Sequence, residues 1–414
     1  MRRVGAVLGG LAIAVALAAC GSSGKGPVTV NWYVFPEPSG SFAKAAADCS
    51  AASGGKYKIA INFLSNASDQ QRQTLVQRLA AGDPSIDILA MDVDWTAEFA
   101  SAGWIRPWTG ANAAAASKGV LPGPLKTATY NGRLWAAPIN SNTEILWYRK
   151  DLVPTPPKTW GQMIDDAIKL AKEGKPHYIE EQGAKYEGLV VWFNSLVDSA
   201  GGGIIGPNGK VIVGPSTKVA AQIMKRLATT AAADPGLNTS QEGPGNNVFD
   251  AGNAAFEINY PFVWSGTQST APSIFKHMGY APFPAVVPGT SPKVSIGGYN
   301  LGVSSHSQHP QLAFDAVKCL IAPQNQIRDA VKGGLAPVLA SIYDEPSFEK
   351  AYPFHALIKA QLQDYGIRPQ TPAYQDVTLA IQDTLQPASA IDPNNIVSKL
   401  RDEIKTALKG DSLL

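Results

Sequence analysis

Three cysteines, five histidines and 16% charged residues leave this 414-residue chain poorly supplied for metal, redox or polyanion chemistry. No Gly-x-x-x-x-Gly-Lys-Ser/Thr loop, His-Glu-x-x-His pair or Gly-x-Ser-x-Gly elbow occurs, which removes the commonest nucleotide, zinc-peptidase and serine-hydrolase signatures. His306 and His309 have a spacing that suits a metal, but no Cys or Glu stands beside them, and they read as solvated loop residues. The net charge of +2 comes entirely from Arg2 and Arg3, so the rest of the chain is balanced and no nucleic acid is expected as partner. No apolar run after residue 20 approaches the roughly 18–20 residues of a membrane span. Internal repeats and low-complexity stalks are missing too, which argues against an adhesin.

What is present begins at the first residue. Arg2 and Arg3 precede an apolar stretch that ends in Leu17-Ala18-Ala19-Cys20, followed by Gly21-Ser22-Ser23-Gly24. A charged start, an apolar middle and a small-residue exit make a secretory signal peptide over residues 1–19. Cysteine directly after Leu-Ala-Ala resembles the bacterial lipobox, which implies a diacylglyceryl group on Cys20 and a flexible tether over residues 20–27. The alternative is an ordinary signal peptide with an incidental cysteine. On the lipobox reading the lipid on Cys20 is the only hold on a membrane, and the protein sits on the outer face of the cytoplasmic membrane.

The remainder is too long for one ordinary core and suggests two lobes. Strand and helix patterns alternate along it. Val28–Phe35, Lys58–Leu64, Ile86–Met91, Leu134–Ile139, Ile145–Tyr148 and Ser295–Ser304 read as strands. Ser41–Ser50, a run capped by Ser68 or Asp69, Trp160–Ala171 and Val397–Leu408 read as helices. Phe249–Tyr260 carries both signals. The βαβ-like order predicts open sheets with helices on both faces, an α/β architecture. Cys49 and Cys319 lie in helical-looking runs. They form one disulfide within a single lobe or stay as two small buried thiols, and an exported chain favours the disulfide.

Ligands collect beyond the carboxyl ends of strands in such sheets. Asp92 follows Ile88-Leu89-Ala90-Met91, and Asn142 follows the Leu134–Ile139 strand, so both are candidates. Asp92 also has a reading as a helix cap, and Asn142 as a turn residue. Glu37, just after the first strand, is a third candidate. Paired acids such as Asp165-Asp166 and Glu180-Glu181 read as solvated.

The order of several phrases resembles that of the extracellular solute-binding proteins of sugar ABC importers. These are Gly82-Asp83-Pro84-Ser85-Ile86-Asp87-Ile88, Ile145-Leu146-Trp147-Tyr148-Arg149-Lys150-Asp151-Leu152, Pro157-Lys158-Thr159-Trp160, Phe249-Asp250-Ala251-Gly252-Asn253-Ala254-Ala255-Phe256 and Gly333-Gly334-Leu335-Ala336-Pro337. Within that family, Asp92-Val93-Asp94-Trp95-Thr96-Ala97-Glu98, Glu187-Gly188-Leu189-Val190-Val191-Trp192 and Arg368-Pro369-Gln370-Thr371-Pro372 resemble the trehalose-binding lipoproteins of mycobacterial importers, where Cys49 and Cys319 also match paired positions. The chain is shorter than that group between Tyr260 and Phe283, and has Tyr260 where a tryptophan is usual.

The resemblance implies a two-lobe, periplasmic-binding-protein-like fold with hinge crossings. The first lobe is expected over residues 28–138 and 288–335, and the second over 139–287 and 336–414. It implies a monomer that binds a disaccharide, trehalose, without a cofactor or catalysis, and hands it to permease subunits served by a cytoplasmic ATPase. Asp92, Asn142, Glu242, Tyr260 and Arg368 match its sugar contacts, and the backbone at Gly334 and Leu335 is expected to line the site. These types suit a sugar: carboxylates accept from hydroxyls, arginine donates in a fork, and aromatic rings cover C–H faces. Glu242 otherwise reads as a solvated loop acid. Arg368, between Gly366 and Pro369, reads as a loop residue whose loss costs little stability. The rival readings are another solute on the same fold, such as an amino sugar, a glycerophosphodiester or an oligosaccharide, and a surface enzyme using two carboxylates.

Overall fold

A computed structural model describes residues 26–410; the expected signal peptide and Cys20 lie outside the described residues. Eleven strands run in chain order through these residues: β1 (Val28–Val34), β2 (Tyr57–Phe63), β3 (Ile88–Asp92), β4 (Thr129–Tyr130), β5 (Arg133–Leu134), β6 (Ala137–Asn142), β7 (Ile145–Arg149), β8 (Tyr178–Glu180), β9 (Ala254–Asn259), β10 (Met278–Ala281) and β11 (Gly297–Val303). They form a five-stranded sheet in the order β2-β1-β3-β11-β6, a four-stranded sheet in the order β10-β7-β9-β8, and the small β4-β5 hairpin. Each large sheet is the centre of one lobe.

Period-two alternation explains why helices cover both faces of each sheet. In β3, Ile88 and Ala90 enter one core with Trp32 and Phe42, while Leu89 and Met91 enter another with Leu75 and Phe99. In β7, Leu146 and Tyr148 pack with Trp160 and Phe193, while Ile145 and Trp147 pack with Phe249 and Tyr343. The first sheet is parallel through β2, β1 and β3, as the βαβ pattern predicts. The late strand β11 then inserts antiparallel between β3 and β6, a pairing that local periodicity does not encode.

The chain changes sheets within two residues, because β6 ends at Asn142 and β7 begins at Ile145. Thr143 and Glu144 are therefore the first crossing, later than the expected 138/139 boundary. Residues 282–296 carry the chain back to β11. The third passage is pinned where Ser141 N–H donates to the Ala336 carbonyl at 2.9 Å and Leu121 N–H to that of Val338 at 2.8 Å. Cys49 and Cys319, 270 residues apart in sequence, form a disulfide between helices Ser41–Ala52 and Pro310–Leu320 on the first sheet.

Two local expectations are corrected. Neither Ser68 nor Asp69 caps its helix; Ala67 occupies the cap with no side-chain bond, and the Ser68 hydroxyl is spent on Asp92 instead. The mixed signal of Phe249–Tyr260 separates into helix Glu242–Asp250 and β9, divided by Gly252 at φ 80°.

Candidate functional site

The cleft edges of the two sheets enclose a cavity of about 380 Å³, within the size range of small-molecule sites. Phe35 follows β1, Asp92 ends β3, Asn142 ends β6, and Tyr260 follows β9; all four line it. Helices Ser68–Ala80, Glu187–Ser199, Glu242–Asp250 and Phe262–Thr270 all begin at the same cavity. Their first turns present backbone N–H groups and a partial positive charge, which offsets the acids Asp69, Glu187 and Glu242 carried there. A ligand rich in hydroxyls thus meets acceptors and donors together.

Arg368 ties the two walls to each other. It is 3% exposed. Its Nη2 donates to Asp92 Oδ1 at 2.9 Å in the first lobe, and its Nη1 to Glu187 Oε1 at 2.7 Å in the second. Asp94 Oδ2 stands 3.5 Å from the same Nη1. Glu187 is held from behind by the Tyr374 hydroxyl and by Thr378 Oγ1 at 2.6 Å. Ser68 Oγ donates to the other Asp92 oxygen at 3.2 Å. Arg368 Nε and Asp94 Oδ1 are left without a hydrogen-bond partner. Burial pushes the Asp92 carboxyl up, yet the Arg368 charge and the hydrogen bonds from Asp94, Arg368 and Ser68 outweigh it and hold Asp92 below the usual carboxylate range. Asp94 goes the other way: burial, joined by the charges of Asp92 and Glu187, raises it well above that range despite Arg368.

Aromatic surface faces the cavity from both lobes. Phe35 and Tyr299 stack at 4.4 Å between centroids and 27° between planes on the first-lobe wall, opposite Tyr260 and Phe262 of the second. Such rings cover the apolar C–H faces of a sugar. Gly298 makes the wall thin. It sits at φ 113° where a Cβ would fall 2.5 Å from the Asn140 carbonyl oxygen, so only glycine fits here, just ahead of the shift in β6–β11 register between Tyr299 and Asn300.

Five of the residues expected from sequence, Asp92, Asn142, Glu242, Tyr260 and Arg368, meet in this cavity. Three others are placed elsewhere. Glu37 accepts from the Ser39 and Ser41 N–H groups at 2.7 and 2.9 Å, satisfying the start of helix Ser41–Ala52. Gly334 terminates helix Pro323–Gly333 at φ 68°, with a Cβ position only 2.5 Å from Phe262 Cα, so it is a close-packing point between lobes. Leu335 is buried in the first-lobe core. Glu242 opens a helix rather than lying in a loop, and Arg368 is a buried hub rather than an exposed loop residue. Sequence reasoning missed Glu187, Tyr186, Phe35, Phe262 and Tyr299. Phe35 and Tyr299 carried a usable signal, since each lies at the cleft end of a strand. Among the described residues no group of three His, Cys, Asp or Glu side chains is arranged to hold a metal.

Two lobes around a polar, aromatic-walled cleft define a ligand-binding protein. The model of the bacterial extracellular solute-binding protein family matches residues 38–327, and the chain belongs to that family. A probable ABC transporter-binding protein of Deinococcus radiodurans is 31% identical over 316 residues, 73% of this chain and 74% of that one. Among solved structures, maltose-bound MalE3 of T. maritima superposes with a TM-score of 0.83 at 27% identity, covering 91% of this chain and 99% of the other. The GacH receptor of Streptomyces glaucescens GLA.O shares the fold, with a TM-score of 0.79 at 20% identity over 92% and 99% of the two chains. This protein is therefore the substrate-binding protein of an ABC importer. Its relatives and fold are those of exported binding proteins, not of enzymes.

Proposed function

We propose that the cleft binds a disaccharide, trehalose, and that the closed protein hands it to permease subunits driven by a cytoplasmic ATPase. The observation that carries this reading is the meeting, in one cavity of about 380 Å³, of Asp92, Asn142, Glu242 and Arg368 with aromatic rings on both walls. Asp92 and Glu242 accept from adjacent hydroxyls, the Asn142 amide both donates and accepts, Arg368 holds Asp92 ionised, and the rings exclude water from the C–H faces. The sugar adds contacts to both lobes only when they close, and so shifts the population towards the closed state. Anchorage through lipid on Cys20, with the protein acting as a monomer, completes the proposal.

The likeness to a maltose-bound structure makes maltose the second reading. A thermal-shift and calorimetric comparison separates the two, because a ligand that binds only the folded state raises the melting temperature. Trehalose is expected to raise it more than maltose does. Equal shifts, or none with trehalose, overturn the trehalose assignment.

A further inference from the structure

Sugar hydroxyls leave one part of the second lobe unexplained. Glu144 opens the crossing into β7, and Glu181 follows β8, both at the cleft edge of the second sheet. The ladders pair Ile145 with Asn259 and Glu180 with Glu257. One residue further along each ladder, side chains alternate to the opposite face, so Glu144, Glu181 and the cavity-lining Tyr260 share one side. Glu144 is wholly buried and Glu181 is 1% exposed, yet none of their four carboxylate oxygens has a hydrogen-bond partner. Neither glutamate lines the cavity itself, whereas Tyr260 does. Buried acceptors are almost always satisfied in native proteins, so these two carboxylates, which the chain leaves without a donor, are the acceptors that a donor from outside would complete.

The chemistry narrows that donor. Among the described residues no cluster is arranged for a metal. An alkylammonium brings three donors and one positive charge on a small head, which matches two acceptor-only carboxylates. The rest of the wall agrees. Asp92, Glu187 and Glu242 line the cavity against the single cation Arg368, whose two Nη groups already serve Asp92 and Glu187. We propose that Glu144 and Glu181 form an amine subsite behind Tyr260, and that the preferred ligand of this cleft is an amino-sugar-containing disaccharide. The inference rests on the disaccharide reading above and names the chemical class within it. Without the amine the pair sits protonated: burial and the Glu242 charge push Glu144 up to about 8, and burial with Glu144 beside it raises Glu181 well above the usual range. The charges of Glu242 and Glu257 also raise Glu181, and the Arg368 charge acts on Glu144 with the opposite effect, so a seated ammonium replaces protons. A phosphorylated sugar finds no free cation here and faces acids instead.

Calorimetry near neutral pH with trehalose, trehalosamine (trehalose with one hydroxyl replaced by an amine) and phosphorylated trehalose tests this. Trehalosamine is expected to bind at least about tenfold more tightly than trehalose, the scale of a charge-assisted hydrogen bond, with release of protons to buffer and no binding of the phosphate ester. In Glu144→Gln and Glu181→Gln the amine preference is expected to disappear. Equal or weaker binding of trehalosamine by the wild type overturns the proposal while trehalose binding keeps the disaccharide reading. Binding of trehalosamine without trehalose keeps the amine subsite and overturns the trehalose assignment alone. A preference that survives both substitutions places the amine elsewhere and also overturns it.

Discussion

Asp92 and Glu144 are carboxylates at the cleft edges of the two sheets, one ending β3 and the other immediately preceding β7, and their electrostatic fates are opposite. Asp92 receives Arg368 and Ser68 and stays ionised below the ordinary carboxylate range. Glu144 receives nothing, and burial together with the Glu242 charge lifts it to about 8. Position relative to the strand does not decide the charge. A partner delivered from 276 residues away in sequence does. The first wall of the cleft is thus a compensated ion-pair surface, and the second keeps unspent acceptors.

The largest effect is expected from Arg368→Ala. It leaves Asp92 and Glu187 buried without their cation, and breaking a buried pair from one side costs about 3–5 kcal/mol. The sugar-free protein is expected to melt at a markedly lower temperature and to lose sugar affinity as well. Arg368→Lys, which keeps the charge but not the fork, recovers stability only in part. An unchanged melting temperature in the alanine variant contradicts the hub.

Removing the cross-link comes next. Cys49→Ser is expected to cost about 2–4 kcal/mol, measured by denaturant unfolding, with sugar affinity retained below the melting range because the disulfide lies away from the cavity. Loss of affinity in the folded variant links that helix pair to the cleft and removes the separation.

The pH dependence follows from the same contrast. Glu144 has a higher value folded than unfolded, so its contribution is complete below the unfolded glutamate range and is lost as pH rises towards about 8. Glu257, raised by burial to about 8, and Glu180, raised by burial to about 9, act in the same direction. Asp92 is depressed, so its contribution is present above the unfolded aspartate range and is lost as pH falls through its lower folded value. Melting temperatures are therefore expected to fall between pH about 5 and 8, and Glu144→Gln to flatten part of that fall. A fall of unchanged steepness in the variant contradicts the assignment.

Glu37→Ala is the smallest change. It removes acceptors for two N–H groups at a helix start and is expected to cost about 1 kcal/mol without altering sugar affinity.

Much of this was legible in the sequence because it is local. The Ile88-Leu89-Ala90-Met91 run announces a strand, its end announces Asp92, and alternation along β7 announces two cores. The compensation was not legible. Arg368 stands between a glycine and a proline, the marks of a loop, and its partners Asp92 and Glu187 lie 276 and 181 residues away. Ser68 has the composition of a cap and a different task, since β3 brings Asp92 to it. Glu144 is a lone acid between two apolar strands, and its burial comes from tertiary packing, with Gln361 donating to its carbonyl from 217 residues away. Glu37 shows the converse error: strand-end position was right, but the nearest helix start took its carboxylate first.

The central claim is that the cavity between the two sheets is the sugar site, and calorimetric titration of trehalose into wild type and Asn142→Ala addresses it most directly. Asn142 lines the cavity and lies outside the Arg368 ion-pair network, so its truncation leaves the fold intact. The account expects one-site binding to wild type and about tenfold weaker binding to the variant at an unchanged melting temperature, the loss of roughly one good hydrogen bond. Equal dissociation constants for the two proteins would contradict it.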